Sequence, residues 1–237
     1  MHTLFLDHPP PPNAPSITIT GDEARHAIRV KRLGPGDTLR LLDGRGTILH
    51  ATITTAIRDL VVHIDERATA EPLRPRLIVC SAAPKGPRLD KMIDMLSQVG
   101  AAEWIATDCD RSIVEPGEHK LDRLARIAHE SAKQAARPWI MRTGERLTLA
   151  QVLNRAADDA HTFVIADADG EPFVPTPASE ITLLVGPEGG FTDAERQLAR
   201  SRGATPACFG PHTMRIETAA IVGAAIILDA HRRHTKP

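Results

Sequence analysis

The chain has 237 residues, 42% hydrophobic and 25% charged, with a formal net charge of −1. This is enough for one large or two small domains with ample core, and the composition is that of an ordinary globular protein. The near-neutral balance gives no overall sign of a nucleic-acid partner, and no apolar run reaches the length of a membrane span.

Residues 1–70 read as a small β-rich unit. The N-terminus, MHTLFLDHPPPP, has no basic leader region and too short an apolar stretch for a signal peptide, and Pro9–Pro12 is a stiff lead-in. Short β-branched or alternating runs stand at Ile17–Thr20, Thr38–Leu42, Thr47–Ala56 and Leu60–Asp65. The glycine turns Gly34-Pro35-Gly36-Asp37 and Asp43-Gly44-Arg45-Gly46 separate them, a spacing that favours a small barrel. Asp22–Val30 is expected as a short helix capped by Asp22, with His26, Arg29 and Arg32 on or near one face. The polar run 66–76, ERATAEPLRPR, has two prolines and no periodicity, and the linker is placed at 71–76.

From residue 77 to 237 strands alternate with helices, the pattern of a mostly parallel α/β sheet. Strands are expected at Leu77–Ala82, Trp104–Thr107 and Thr162–Ala166, and helices at Arg88–Val99, Leu121–Ala136 and Leu147–Ala157. Met92, Met95, Leu96 and Val99 form the apolar face of the first helix, and Gly100 stops it. The strand Ile181–Val185 then runs straight into Gly186-Pro187-Glu188-Gly189-Gly190, where missing Cβ atoms let backbone approach a ligand. A helix follows, with Thr192 as N-cap and Glu195 at capping-box spacing. A second short strand, Pro206–Phe209, meets a second loop from Gly210 to Glu217, which opens the apolar helix Thr218–His231. Two glycine–proline loops after two neighbouring strands imply one pocket at the carboxyl ends of the sheet.

The residue types narrow the chemistry. Gly-Pro-Glu-Gly-Gly-Phe-Thr lacks the lysine of a phosphate loop, the dinucleotide fingerprint is absent, and Glu188 would repel a phosphate while accepting a neutral or cationic ligand. No His/Cys/Asp cluster has metal spacing and no Gly-x-Ser-x-Gly elbow occurs, which leaves metal and acyl-transfer chemistry without support. Cys80, Cys109 and Cys208 are odd in number and widely spaced, so reduced thiols in a cytoplasmic protein are expected. Basic clusters at Arg25/Arg29/Lys31/Arg32, Lys85/Arg88/Lys91, Lys120/Arg123/Arg126 and Lys133/Arg137/Arg142/Arg146 are either solvated faces or, if they converge, a phosphate-backbone footprint.

LLVGPEGGFTDAE followed by FGPHTMRIETAAIVGAAI resembles the paired knot loops of the SPOUT methyltransferases, and among them the RsmE family of 16S ribosomal RNA uracil-N3 methyltransferases. The second loop matches at Phe209, Gly210, Pro211, Met214, Arg215, Glu217, Thr218 and Ala219. HAIRVKRLGPGD and LLDGRG are similar to that family's PUA-like RNA-binding domain, so the resemblance spans nearly the whole chain. It departs where Gln98 replaces a glutamate, Lys133-Gln134-Ala135-Ala136-Arg137 replaces Glu-Gln-x-Gly-Arg, Ile216 replaces a threonine and His212 an arginine.

The resemblance implies a PUA-like β-barrel (1–70) and an α/β trefoil-knot methyltransferase domain (77–237), paired as a homodimer with the pocket near the subunit interface. It implies S-adenosylmethionine held by Leu184, Val185, Gly186, Pro187, Glu188, Gly189 and Gly190 of the first loop and by Phe209, Gly210, Met214 and Ile216 of the second. The substrate implied is N3 of a uridine in 16S ribosomal RNA of the 30S subunit, with neither metal nor membrane. Arg215 is suited to stabilise charge on the uracil or to hold the cofactor, and Glu217 to orient Arg215 or act as base; an ion pair pinning the helix start is the plainer role for both. His26, Arg29, Arg32, Gln134 and Arg137 are candidate RNA contacts, although Arg137 equally suits a helix C-terminal cation. Trp139 and Phe191 are either stacking platforms or core. A SPOUT enzyme for another RNA, or a non-catalytic ribosome-assembly module, is the alternative.

Overall fold

The computed structural model describes residues 2–6, 8–114, 117–155 and 161–234. The chain folds as two compact units, Met1–Pro72 with Ala132–Ile140, and Leu73–Ser131 with Met141–Pro237.

The first unit contains β1 (His2–Phe5), β2 (Ser16–Ile19), α1 (Gly21–Arg25), a π-turn (His26–Val30), β3 (Thr38–Leu42), β4 (Thr47–Ala56) and β5 (Leu60–Thr69). The sheet order is β1-β3-β4-β5-β2; Leu4 of β1 and Ile19 of β2, on its two edge strands, join one core with β3, β4 and β5, while no β1–β2 pairing is present among the described residues. Alternation along the strands sends Leu49, Ala51 and Ile53 of β4 and Leu60, Val62 and Ile64 of β5 to one side, where they meet Ala24 and Ala27. Strand β1, too short to show a period and followed by the proline run, was not legible; it pairs parallel to β3. Asp22 does not cap α1: Thr20 is the N-cap, without a side-chain bond, and Asp22 lies in the first turn, paired with Arg25.

Residues 132–140 complete this unit. Ala132 packs with Phe5 and Leu42, and Ile48 and Ile140 flank them. Gly46 N–H donates to Pro138 O at 2.8 Å and Ile140 N–H to Gly44 O at 3.0 Å. Gly44 and Gly46 both have positive φ, and a Cβ on either would run into Ile140 or Trp139, so the Asp-Gly-Arg-Gly turn is built to receive this segment. Trp139 is half-buried and donates from Nε1 to Ala70 O at 3.0 Å, which makes it a packing residue.

The second unit contains β6 (Arg76–Ser81), α2 (Pro87–Val99), β7 (Glu103–Asp108), α3 (Glu118–Gln134, its last residues in the first unit), β8 (Arg142–Thr143) and β9 (Leu147–Thr148). It continues with α4 (Leu149–Leu153), β10 (His161–Pro172), β11 (Glu180–Val185), α5 (Asp193–Ser201), β12 (Thr205–Cys208) and α6 (Ile216–His234). All sheet pairs are parallel, in the order β12-β10-β11-β6-β7-β8 with β9 beside β7. Because side chains alternate, Leu77 and Val79 of β6 and Leu183 and Val185 of β11 face α2, α3 and α6. Ile78, Cys80 and Leu184 face α4 and α5 across the other side.

Leu89, Met92, Ile93 and Leu96 are the buried face of α2, while Met95 is 46% exposed and lies outside it. The helix expected at Leu147–Ala157 begins as β9, and α4 ends at Leu153; its last residues fall outside those described. The capping box of α5 is formed as expected: Thr192 Oγ1 accepts from Glu195 N–H, and Glu195 accepts from Thr192 N–H. Buried charges gather at the amino ends of the strands, where Arg76 joins Glu103 at 2.6 Å and Glu180 at 2.5 Å. No helix among the described residues is long and apolar enough to cross a membrane.

Candidate functional site

A cavity of about 300 Å³ opens at the carboxyl ends of β10, β11 and β12, within the size range of small-ligand sites. Hydrophobic burial fixes the strands, and the loops that leave them are free to carry polar groups. The first loop contributes Val185, Gly186, Pro187, Glu188 and Gly190; the second contributes Phe209, Gly210, Met214 and Ile216. Nine of the eleven expected cofactor residues therefore share one cavity. Leu184 is not among the lining residues: its side chain is 1% exposed on the opposite face of the sheet, which leaves only its backbone for the contact expected of it. Gly189 is not among the lining residues either, and its carbonyl accepts from Arg111 Nη1 at 2.7 Å.

The glycines are needed where backbone and side chains crowd. A Cβ on Gly186 would lie 3.0 Å from Phe191 Cδ2 and 3.3 Å from Phe191 N, and Phe191 is 6% exposed. Phe191 is thus a core residue lining the cavity. A Cβ on Gly210 would lie 2.7 Å from Met214 Cε.

A third wall was missed from sequence. The ladder between β10 and β12 shifts register between Ala166 and Glu171, so the intervening residues bulge over the cavity and bring Asp167 and Asp169 to it. Arg196 of α5 holds Asp167 at 2.7 Å; Asp169 is exposed and has no ion pair among the described residues. The signal available was Asp-Ala-Asp-Gly after an apolar strand, with Gly170 required because a Cβ there would lie 2.9 Å from Ala207 N. The cavity wall is thus acidic and apolar, suited to a cationic or neutral ligand rather than a phosphate.

Arg215 is exposed at the end of the second loop and does not line the cavity. Glu217, in the first turn of α6, pairs with Arg88 at 3.5 Å rather than with Arg215. Arg88 also reaches Glu188 at 3.6 Å. Sequence placed Arg88 only in a basic cluster; nothing in the local pattern signalled two distant carboxylates.

The five expected RNA contacts all belong to the first unit, since residues 132–140 fold with it. His26, Arg29, Arg32 and Gln134 are exposed. Arg137 is half-buried, and burial pushes its pKa down to about 10. Among the described residues no group of three or more His, Cys, Asp or Glu is placed to hold a metal.

A parallel α/β sheet with two glycine–proline loops meeting at one acidic, apolar cavity defines a small-ligand-binding α/β protein with an appended β unit. Comparison with known proteins makes the class specific. A family model described as RNA methyltransferase domain matches residues 71–228, and one described as RNA methyltransferase PUA domain matches residues 19–63. The chain belongs to this RNA methyltransferase family. Relatives include the ribosomal RNA small subunit methyltransferase E of Synechocystis, 28% identical over 90% of this chain and 72% of that protein. That of Mycobacterium bovis is 28% identical over 92% and 88%. Similar solved structures are a probable rRNA-methyltransferase from Porphyromonas gingivalis (28% identity, 90% and 92% coverage, TM-score 0.76) and a ribosomal RNA small subunit methyltransferase E from Neisseria gonorrhoeae bound to S-adenosyl methionine (22%, 95% and 95%, TM-score 0.80).

Proposed function

We propose that the protein transfers a methyl group from S-adenosylmethionine to N3 of a uridine in 16S ribosomal RNA, acting in the cytoplasm on the 30S subunit. The observation that carries this reading is the convergence of both loops on one cavity whose wall holds Asp167, Asp169 and Glu188. The residues fit the cofactor: the glycines leave room for backbone contact with adenine and ribose, Phe209, Met214 and Ile216 supply apolar walls, and the carboxylates suit a cation. When bound, S-adenosylmethionine supplies an electrophilic methyl group on a sulfonium.

The reaction would form the N3–methyl bond as the sulfur–methyl bond breaks, releasing S-adenosylhomocysteine, with the N3 proton passing to solvent. Arg215, exposed on the second loop outside the cavity lining, would contact RNA and meet the negative charge that develops on the uracil. Glu217 is ion-paired with Arg88 at 3.5 Å. N3 is hidden in a Watson–Crick pair, so the target base must be unpaired or unstacked. The exposed His26, Arg29, Arg32 and Gln134 and half-buried Arg137 of the first unit serve the RNA backbone.

The reading includes a trefoil knot through the two loops and a homodimer. The dimer is supported by Met95 of α2 (46% exposed) and Ile226 of α6 (37% exposed), apolar residues on two helices that pack together.

The test is transfer of labelled methyl from S-adenosylmethionine to intact small subunits and to naked 16S ribosomal RNA, followed by nucleoside digestion. A 3-methyluridine peak, reduced at least tenfold in Arg215→Ala, is expected. Cofactor binding with no labelled nucleoside on either substrate would overturn the assignment in favour of another RNA or a non-catalytic assembly module.

A further inference from the structure

We propose that Arg88 is a positioning residue of this site: it ties the two ligand loops together by sharing its guanidinium between Glu188 and Glu217, and so presents Glu217 Oε2 to a donor brought by the ligand. The inference rests on the functional reading above. Nη2 of Arg88 stands 3.6 Å from Glu188 Oε1 and Nη1 stands 3.5 Å from Glu217 Oε1. Glu188 lines the cavity, whereas Glu217 begins the helix that the second loop enters, so one side chain spans both loops.

Arg88 lies in the first turn of α2, immediately after Pro87. A cation there opposes the helix dipole, so helix stability gives no reason for it. The acid of the same turn, Asp90, is already gripped by both nitrogens of the Arg123 fork at 2.6 and 2.8 Å. The two loop carboxylates are what remain to explain an arginine at this position. A planar fork can hold both at once, which the point charge of a lysine does less well.

The Glu217 side chain is 15% exposed, and its Oε2 is buried without a hydrogen-bond partner among the described residues. A buried carboxylate oxygen lacking a donor is costly, and such sites call for the missing partner. An N–H or O–H of the bound ligand supplies it. Arg88 stands beside Oε1 at 3.5 Å, which leaves Oε2 for that donor.

The full-length chain is titrated with S-adenosylmethionine and S-adenosylhomocysteine by calorimetry as wild type, Arg88→Gln, Arg88→Lys, Glu217→Gln and the double variant Arg88→Gln/Glu217→Gln. Arg88→Gln should weaken both ligands about tenfold, the order expected for a lost charge-assisted contact. Arg88→Lys should recover part of that loss. The double variant should bind no more than about twofold worse than the weaker single variant, because both changes remove one interaction. Losses that add in full would show that Arg88 and Glu217 do not act as one unit, and they overturn the inference. Wild-type affinity in Arg88→Gln also overturns it while leaving the cofactor reading intact. Should Arg88→Gln fail to fold, Arg88→Lys decides, and wild-type affinity there refutes the role given to the fork. A wild-type chain that binds neither compound overturns the cofactor reading itself.

Discussion

Replacing Arg76 by methionine would strand a carboxylate inside the sheet. The Glu103 side chain is 2% exposed at the amino end of β7 and is held by Arg76 at 2.6 Å and by Arg155 at 3.4 Å. Arg76 is 34% exposed and also binds Glu180 at 2.5 Å. Burial works against the charge of Arg76, yet its hydrogen bonds to Glu180 and Glu103 outweigh it and hold its pKa above the ordinary arginine value. The two partners are therefore unequal. Arg76→Met leaves Glu103 with one long contact, and breaking a buried pair in this way costs about 3–5 kcal/mol. Glu103→Gln removes the buried charge instead and leaves two partly hydrated cations, a loss of about 2 kcal/mol. The double variant Arg76→Met/Glu103→Gln should be more stable than Arg76→Met alone, by about 1–2 kcal/mol. Urea unfolding at pH 7, followed by Trp104 fluorescence in a Trp139→Phe background, reads the unit concerned. Thermal midpoints should fall by about 2–4 °C per kcal/mol. If Glu103→Gln proves worse than Arg76→Met, or the double variant is simply additive, the argument from stranded charge is refuted.

Ala136, two residues past the end of α3, lies in the left-handed region at φ +51, with Arg137 N–H donating to Ala132 O at 2.9 Å. Ala136→Gly relieves about 1–2 kcal/mol of backbone strain against about 0.4–1 kcal/mol of added chain entropy, so a small gain of about 0.5 kcal/mol is expected in urea unfolding; Ala136→Val should lose stability. Burial pushes the Cys109 thiol from 9.0 up to about 12. Below pH 9 both folded and unfolded chains keep that proton; between 9 and 12 only the unfolded chain loses it, so stability should fall by about 1.4 kcal/mol per pH unit for this group. Cys109→Ala should flatten that slope, and an unchanged slope would refute the cause. In the cavity, Asp169→Asn should weaken S-adenosylmethionine about fivefold more than the neutral S-adenosylhomocysteine, a difference of about 1 kcal/mol. Equal losses in parallel titrations would show that Asp169 does not face the sulfonium.

The periods of two and 3.6 made most elements of the second unit readable, because its strands and helices bury contiguous apolar faces. The glycine–proline loops were readable for a different reason: few side chains tolerate their backbone paths, as Gly186 against Phe191 illustrates. The hidden parts were products of long-range assembly. Asp167 and Asp169 reach the cavity through a register shift against β12, which no local window carries. Arg88 meets carboxylates 100 and 129 positions away, at 188 and 217. The side chain of Leu184 lies on the opposite face of the sheet, as strand alternation already implies, so only its backbone is left to serve the loop.

The Asp-Gly-Arg-Gly turn and its guest segment also bear on the order in which the protein is made. The first unit draws on residues 1–72 and 132–140, so its Phe5–Leu42–Ala132 cluster cannot close when residue 72 has been synthesised. At about 5–20 residues per second the remaining 68 positions take roughly 3–14 s. During that interval Phe5 and Leu42 lack their cover, and Gly44 and Gly46 have nothing to grip. The N-terminal unit of this chain is finished only after more than half the polypeptide exists, and a fragment ending at the linker would be an incomplete fold.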